Sequence, residues 1–176
     1  MSFQKGTNMD VRLIDIPDSL LDIGDWSSFY AAIAFNQIFY DNKEIFRIDE
    51  NGLDHRCYAT HDVLRTDSKD TIKFEGIERN PHFLHLWFVL KEQYMPGERE
   101  ASIHLFSAKK DGYSFPDHTD PDDLIIYCVN GTKTMNVAGV DYEIKKGQGL
   151  IMPANVVHRA TNQYDSIMLS IGFKKT

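Results

Sequence analysis

Phe115-Pro116-Asp117-His118-Thr119-Asp120, read together with Pro153-Ala154-Asn155-Val156-Val157-His158, delivers two imidazoles and one carboxylate as His-x-Asp followed by a distant His. Two histidines and one acid are the facial ligand set that holds a non-haem Fe(II) from one side and leaves other coordination positions open. Residues two apart on a strand point to the same face, so His118 and Asp120 on one strand would aim at one point. His-x-Asp alone is a weak signal; His158 inside Pro-x-Asn-x-x-His strengthens it.

Working outward, the chain reads as many short strands at near-regular spacing. Thr71–Glu78, His82–Lys91, Glu100–Ala108, Leu124–Val129, Thr132–Val137, Tyr142–Ile144, Leu150–Met152, Val156–Ala160 and Ser166–Phe173 are strand expectations, the pattern of an all-β sandwich or barrel. Asn130-Gly131 is expected to be a hairpin turn that returns the following strand antiparallel, with Lys133, Met135 and Val137 on one face. Residues 92–99 read as an exposed hairpin loop. Upstream, Val11–Ile16 reads as a strand stopped by Pro17, and Glu44–Ile48 and Arg56–Ala59 as strands around an Asn51-Gly52 turn. Apolar residues Trp26, Phe29, Tyr30, Ile33, Ala34, Ile38 and Phe39 recur at helical spacing and predict an N-terminal helix over residues 26–40, with a helical turn near His61–Thr66.

The 176 residues suit one domain, with an N-terminal extension of about residues 1–70 and a motif-bearing core of about residues 71–174. A formal net charge of −7 disfavours binding to phosphate backbones, so no nucleic-acid partner is expected. Cys57 and Cys128 are too few for a disulfide framework and read as buried thiols. The opening residues lack the apolar core of a leader and no run approaches membrane-spanning length, so a cytoplasmic protein away from membranes is expected.

The spacings around the two histidines resemble the cupin patterns. Gly112, five residues and then His118 match the start of G-x5-H-x-H-x3-4-E-x6-G, with Asp120 at the second His, Leu124 at the Glu and Gly131 at the last Gly. Gly147, Pro153, Asn155, His158 and Asn162 follow G-x5-P-x-G-x2-H-x3-N, with Asn155 for Gly, the non-glycine residue that best tolerates a left-handed backbone. His-to-Asp at 120 and Glu-to-Leu at 124 turn the usual cupin ligand set into His118, Asp120 and His158. The run from His118 through Asp120 and Asp123 to Gly131 and Lys133 is similar to that of JmjC-type and ribosomal-oxygenase-type cupins, over roughly residues 102–173.

That resemblance implies a mainly β fold, the cupin double-stranded β-helix or jelly roll, here with the N-terminal helix outside it. It implies an Fe(2+)- and 2-oxoglutarate-dependent oxygenase, a hydroxylase acting on a small molecule or a peptide segment. The metal ligands and catalytic residues would be His118, Asp120 and His158, and Lys133 would hold the distal carboxylate of 2-oxoglutarate as a point charge. His104 lies an even number of residues before His118; it reads equally as a cofactor-cavity residue or a core histidine. Two alternatives stay open at this point, a metal-dependent cupin dioxygenase or isomerase without 2-oxoglutarate and a non-catalytic metal- or ligand-binding module. His82 and His85 fall on opposite faces of their expected strand and so cannot share a metal. Asp117, Asp122 and Asp123 read as a solvated loop or as groups that orient the ligands. An exposed sheet edge is compatible with a homodimer.

Overall fold

The computed structural model describes residues 9–21, 44–57, 69–161 and 165–176; the helices expected at 26–40 and near 61–66, and Asn162, lie outside the described residues. Ten strands and one α-helix are described: β1 (Arg12–Asp15), β2 (Ile45–Ile48), β3 (Asp54–Arg56), β4 (Thr71–Phe74), α1 (Pro81–Tyr94), β5 (Arg99–Ala108), β6 (Asp123–Val137), β7 (Val140–Lys145), β8 (Gln148–Met152), β9 (His158–Thr161) and β10 (Ser166–Lys175). The large sheet runs β1-β8-β6-β10-β5-β4-β2-β3, all neighbours antiparallel. The second half of β6 pairs with β7 and β9 to make a small sheet.

The period-2 alternation of β5, β10 and β6 divides the large sheet into two chemically different faces. Ile103–Ile171–Ile125 and Leu105–Leu169–Tyr127 are register rows on one face, buried in a core with Phe83, Leu86, Trp87 and Leu90 of α1. The rows between them, Ser102–Gly172–Leu124, His104–Ser170–Ile126 and Phe106–Met168–Cys128, face the other way. Met135, Val137 and Ile144 of the small sheet meet the apolar members of those rows in a second core. The molecule is therefore layered as helix, large sheet, cavity and small sheet.

Residues 82–91 are helix, not the expected strand, and the physical reason was present in the sequence. Asn80 caps the helix by accepting from the His82 amide at 3.0 Å, Pro81 occupies the first turn, and Phe83, Leu86, Trp87 and Leu90 recur at helical spacing on the buried side. Burying each of those four side chains contributes about 1.5–3 kcal/mol. Trp87 adds a hydrogen bond from its Nε1 to the Gly172 carbonyl at 3.0 Å and a stacked contact with Phe173. His82 and His85 sit on the exposed side of this helix. On a helix they share the exposed side instead of falling on opposite faces, and neither belongs to the group of His118, Asp120 and His158. The expected loop at 92–99 is also shorter, because α1 runs to Tyr94 and Met95 is fully buried.

Asn130-Gly131 is not a hairpin turn. β6 runs unbroken through it, and the partner register on β10 passes from Ile167–Asn130 to Met168–Cys128, leaving Val129 as an extra residue. Such a bulge bends a strand and increases its twist, which here carries β6 from the large sheet into the small one. Gly131 has φ 74°, and a Cβ there would lie 1.7 Å from the Asp165 carbonyl oxygen, so only glycine fits. β2 pairs antiparallel around Asn51-Gly52 with β3, which is displaced from the expected Arg56–Ala59 to Asp54–Arg56 and shares only Arg56 with it, residues 58–59 lying outside the described residues; the 71–78 strand ends at Phe74 before a 3-10 turn at Ile77–Arg79.

Candidate metal centre and its cavity

His118 and Asp120 do not lie on a regular strand, as expected from their spacing, but in the loop between β5 and β6. A single antiparallel bridge ties that loop to the start of β9: the His118 amide donates to the His158 carbonyl at 3.1 Å, and the His158 amide returns to His118 at 2.9 Å. The Asn155 amide donates to the Asp120 carbonyl at 2.7 Å, and Asn155 has φ 63°, the left-handed backbone that its place in the motif implied. The loop also donates from the Tyr113 amide to the Lys69 carbonyl, and its Ser114 hydroxyl donates to the Ala160 carbonyl.

These ties converge the three side chains. One ligand atom from each of His118, Asp120 and His158 lies within 4.8 Å of the others, and no further acidic, histidine or cysteine residue joins them among the described residues. Asp120 Oδ2 stands 3.2 Å from His158 Nε2 and 3.9 Å from His118 Nε2, and the two imidazole centroids are 4.4 Å apart. Each histidine is oriented the same way. His118 Nδ1 lies 2.8 Å from the Pro116 carbonyl and His158 Nδ1 lies 2.9 Å from the Val156 carbonyl. A carbonyl can only accept, so both Nδ1 atoms carry the proton and both Nε2 atoms turn to Asp120.

The electrostatics follow. Asp120 is held below the ordinary carboxylate range, first by its hydrogen bond with His158 and then by the neighbouring imidazoles, against the opposing effect of burial. Burial is the largest single influence on His158 and acts to lower it, yet its hydrogen bonds to the Asp120 carboxylate and the Val156 carbonyl and the Asp120 charge together raise it. The Asp120–His158 contact favours a proton on His158 Nε2, and a metal held there would compete with that proton.

The triad opens into a cavity of about 470 Å³, within the range of small-molecule sites. Its walls include Ile126, Met135, Met168, Ser102, Ser170 and His104. Lys133 lines it too, at 2% exposure, on the same β6 face as Met135. Burial pushes the Lys133 ammonium down to about 8, with a smaller opposing effect from Cys128. Val137 is the register partner of His158, so four residues at roughly 3.3 Å each separate Lys133 from the triad end of β6, about 13 Å along the strand. His104 faces the cavity rather than the helix-side core, and burial holds its imidazole below the ordinary histidine value despite the pull of Glu75.

Residues 93–171 match the cupin-domain family model. The fold is a cupin fold. Among curated proteins none matches this sequence. Among solved structures, this chain is similar to the ribosomal oxygenase YcfD of Escherichia coli, in complex with cobalt and 2-oxoglutarate, at 13% identity and a TM-score of 0.68 over 95% of this chain and 48% of that one. A second Escherichia coli YcfD structure gives 14% identity and a TM-score of 0.69 over 94% and 50% of the two chains. A conserved protein of unknown function from Streptococcus pyogenes is 24% identical with a TM-score of 0.41, over 46% of this chain and 69% of that one. At 13–14% identity the likeness to YcfD is one of fold, and this chain spans about half the length of YcfD.

Several groups of the site went unread in the sequence. Ser102 could have been found, since it alternates with His104 and Phe106 along β5; Ser170 reaches the cavity through register with His104, which no local signal reveals. Lys73 stands in a four-residue strand whose every position is buried, and a lysine there is itself a signal. Asp123 was read as part of a solvated loop or as an orienting group. It is 4% exposed, pairs with Arg99 at 2.9 Å and accepts from the Ala154 amide at 2.9 Å, so it anchors the Pro153–Asn155 turn ahead of His158. No helix among the described residues is long and apolar enough to cross a membrane.

Proposed function

We propose that this cupin is an Fe(II)- and 2-oxoglutarate-dependent oxygenase, a hydroxylase of a small molecule or a short peptide segment. One observation carries the reading: the two Nε2 atoms and the carboxylate of the triad share a single cavity with the buried ammonium of Lys133. The donor set fits a borderline first-row divalent ion, two neutral imidazoles and one carboxylate with no thiolate. Donor atoms 3.2 and 3.9 Å apart are near the roughly 3 Å expected of adjacent ligands at bonds of about 2.1 Å. When bound, iron with 2-oxoglutarate supplies oxidising chemistry, dioxygen being reduced as the keto acid is converted to succinate and CO2.

The protein's own residues do the rest. The Pro116 and Val156 carbonyls hold both imidazoles in the Nδ1–H tautomer, so each presents its Nε2 lone pair. Lys133 would give a dicarboxylate a positive charge on a buried part of the cavity wall, where low dielectric strengthens the attraction. Ile126, Met135 and Met168 give the cavity an apolar wall, and His104 with its register partner Ser170 adds hydrogen-bonding groups to it. The test is succinate formation from 2-oxoglutarate with Fe(II), ascorbate and dioxygen, in the full chain and in Lys133→Ala. Turnover in the parent that is lost in Lys133→Ala supports the reading; an iron-loaded parent that neither binds nor turns over 2-oxoglutarate refutes it.

A further inference from the structure

The loop that presents His118 and Asp120 is irregular, and two side chains of β4 hold it: the Thr71 hydroxyl donates to the Tyr113 carbonyl, and Lys73 reaches the Phe115 ring. Lys73 is 6% exposed and its stem rises from the cavity face, in register with Phe106. Its Nζ pairs with Glu75 at 2.8 Å and Asp54 at 3.0 Å. The same ammonium lies 4.6 Å from the Phe46 ring centroid and 5.3 Å from that of Phe115. Phe115 in turn sets its edge against His118 at 5.9 Å and against Phe106 at 6.4 Å. His118 then meets His158 at 4.4 Å. Phe46, Lys73, Phe115, His118 and His158 thus form one continuous chain of cation–ring and ring–ring contacts from β2 to the triad.

We propose that Lys73 is a positioning residue for the metal site, holding Phe115 by a cation–aromatic contact so that the Phe115 ring sets the tilt of His118. The inference rests on the reading of the triad as a metal site, not on the identity of the cosubstrate. Two features separate it from ordinary core filling. A buried ammonium is costly and is tolerated here with two carboxylates and two rings around it, an arrangement that fixes its direction as well as its charge. Glu75 and Asp54 are themselves partly open to solvent, so they could be satisfied by water; Phe115 has no cation against it but Lys73 among the described residues. The arrangement also makes the N-terminal strands part of the metal site: β2 supplies Phe46, β3 supplies Asp54 and β4 supplies Lys73. Removing groups that orient a ligand typically costs ten- to a hundredfold in metal affinity.

The experiment is titration of the apo full chain with Co(II), followed by its visible absorption, in the parent, Lys73→Met, Lys73→Arg, Phe115→Leu and the Lys73→Met/Phe115→Leu pair, with circular dichroism melts alongside. Lys73→Met is expected to weaken Co(II) about tenfold and to alter the absorption envelope, Lys73→Arg to recover most of the loss because a guanidinium also stacks on a ring. The double variant is expected to be no weaker than the worse single, since both changes break one contact. If Lys73→Met does not fold, the comparison of Phe115→Leu with Lys73→Arg decides: a tenfold loss in the first with near-parental binding in the second upholds the proposal. Parental Co(II) affinity and spectrum in a folded Lys73→Met or Phe115→Leu, or fully additive losses in the pair, overturn it while leaving the metal reading intact. A parent that binds no Co(II) overturns both.

Discussion

Replacing Lys133 by methionine should make the empty protein more stable and, on the function proposed above, abolish 2-oxoglutarate binding. Lys133 is 2% exposed, and burial lowers its ammonium from an ordinary 10.5 to about 8. A drop of about 2.5 units at 1.36 kcal/mol each is a burial penalty on the charged form of about 3 kcal/mol. The sign follows from proton binding. Between pH 8 and 10.5 the unfolded chain holds the lysine proton and the folded chain has released it, so parental stability rises with pH across that window. Below pH 8 both states are protonated and the whole penalty is present; above 10.5 it has gone. Methionine is similar in length and carries no charge, so Lys133→Met is expected to exceed the parent by up to about 3 kcal/mol at pH 7, the excess shrinking as pH passes 8 towards 10. Urea unfolding of both proteins at pH 7 and pH 9.5 measures this, because groups titrating in both chains cancel in the difference. An excess that is absent at pH 7, or that does not shrink on going to pH 9.5, would refute the account of Lys133 as a charge whose burial costs stability. The same variant should lose 2-oxoglutarate binding by calorimetry, and parental binding should weaken above pH 8 as the ammonium deprotonates.

Three further outcomes follow from the geometry. Because Asp120 is lowered and His158 raised by their mutual contact, metal must displace a proton; Co(II) affinity is expected to fall as pH drops from 8 to 6, with proton release detected by calorimetry in buffers of different ionisation enthalpy. A pH-independent affinity would contradict that pairing. Gly131→Ala places a methyl on the Asp165 carbonyl and forces φ 74° on a residue with a Cβ, and should destabilise by at least about 3 kcal/mol in a thermal melt. Asp123→Ala leaves Arg99 without its buried partner and the Ala154 amide without its acceptor; a loss of about 3 kcal/mol or more is expected, accompanied by weaker Co(II) binding through the loosened turn before His158. Unchanged melting of Asp123→Ala would show that the Arg99 pair contributes nothing net.

What the sequence determined by itself was the chemistry of the site and its spacing. His118, Asp120, His158 and Asn155 were legible because metal ligation and a left-handed backbone each demand particular residue types at particular offsets, and those demands are local. Lys133 was legible as a charge on an apolar-facing strand. Its reason for facing the cavity was not, because β6 does not turn at Asn130-Gly131 but bends there and crosses between sheets. An Asn-Gly pair satisfies a hairpin and a bulge equally well, and only the partner strand decides. The stretch 82–91 was misread for a related reason: aromatic and branched residues suit both states, and the Asn80-Pro81 start and the spacing of Phe83, Leu86, Trp87 and Leu90 outweigh them. Long-range register decided the remainder. It set Ser170 beside His104, buried Asp123 against Arg99, and carried Lys73 to within reach of Phe115, contacts between residues tens of positions apart whose pairing no local propensity encodes.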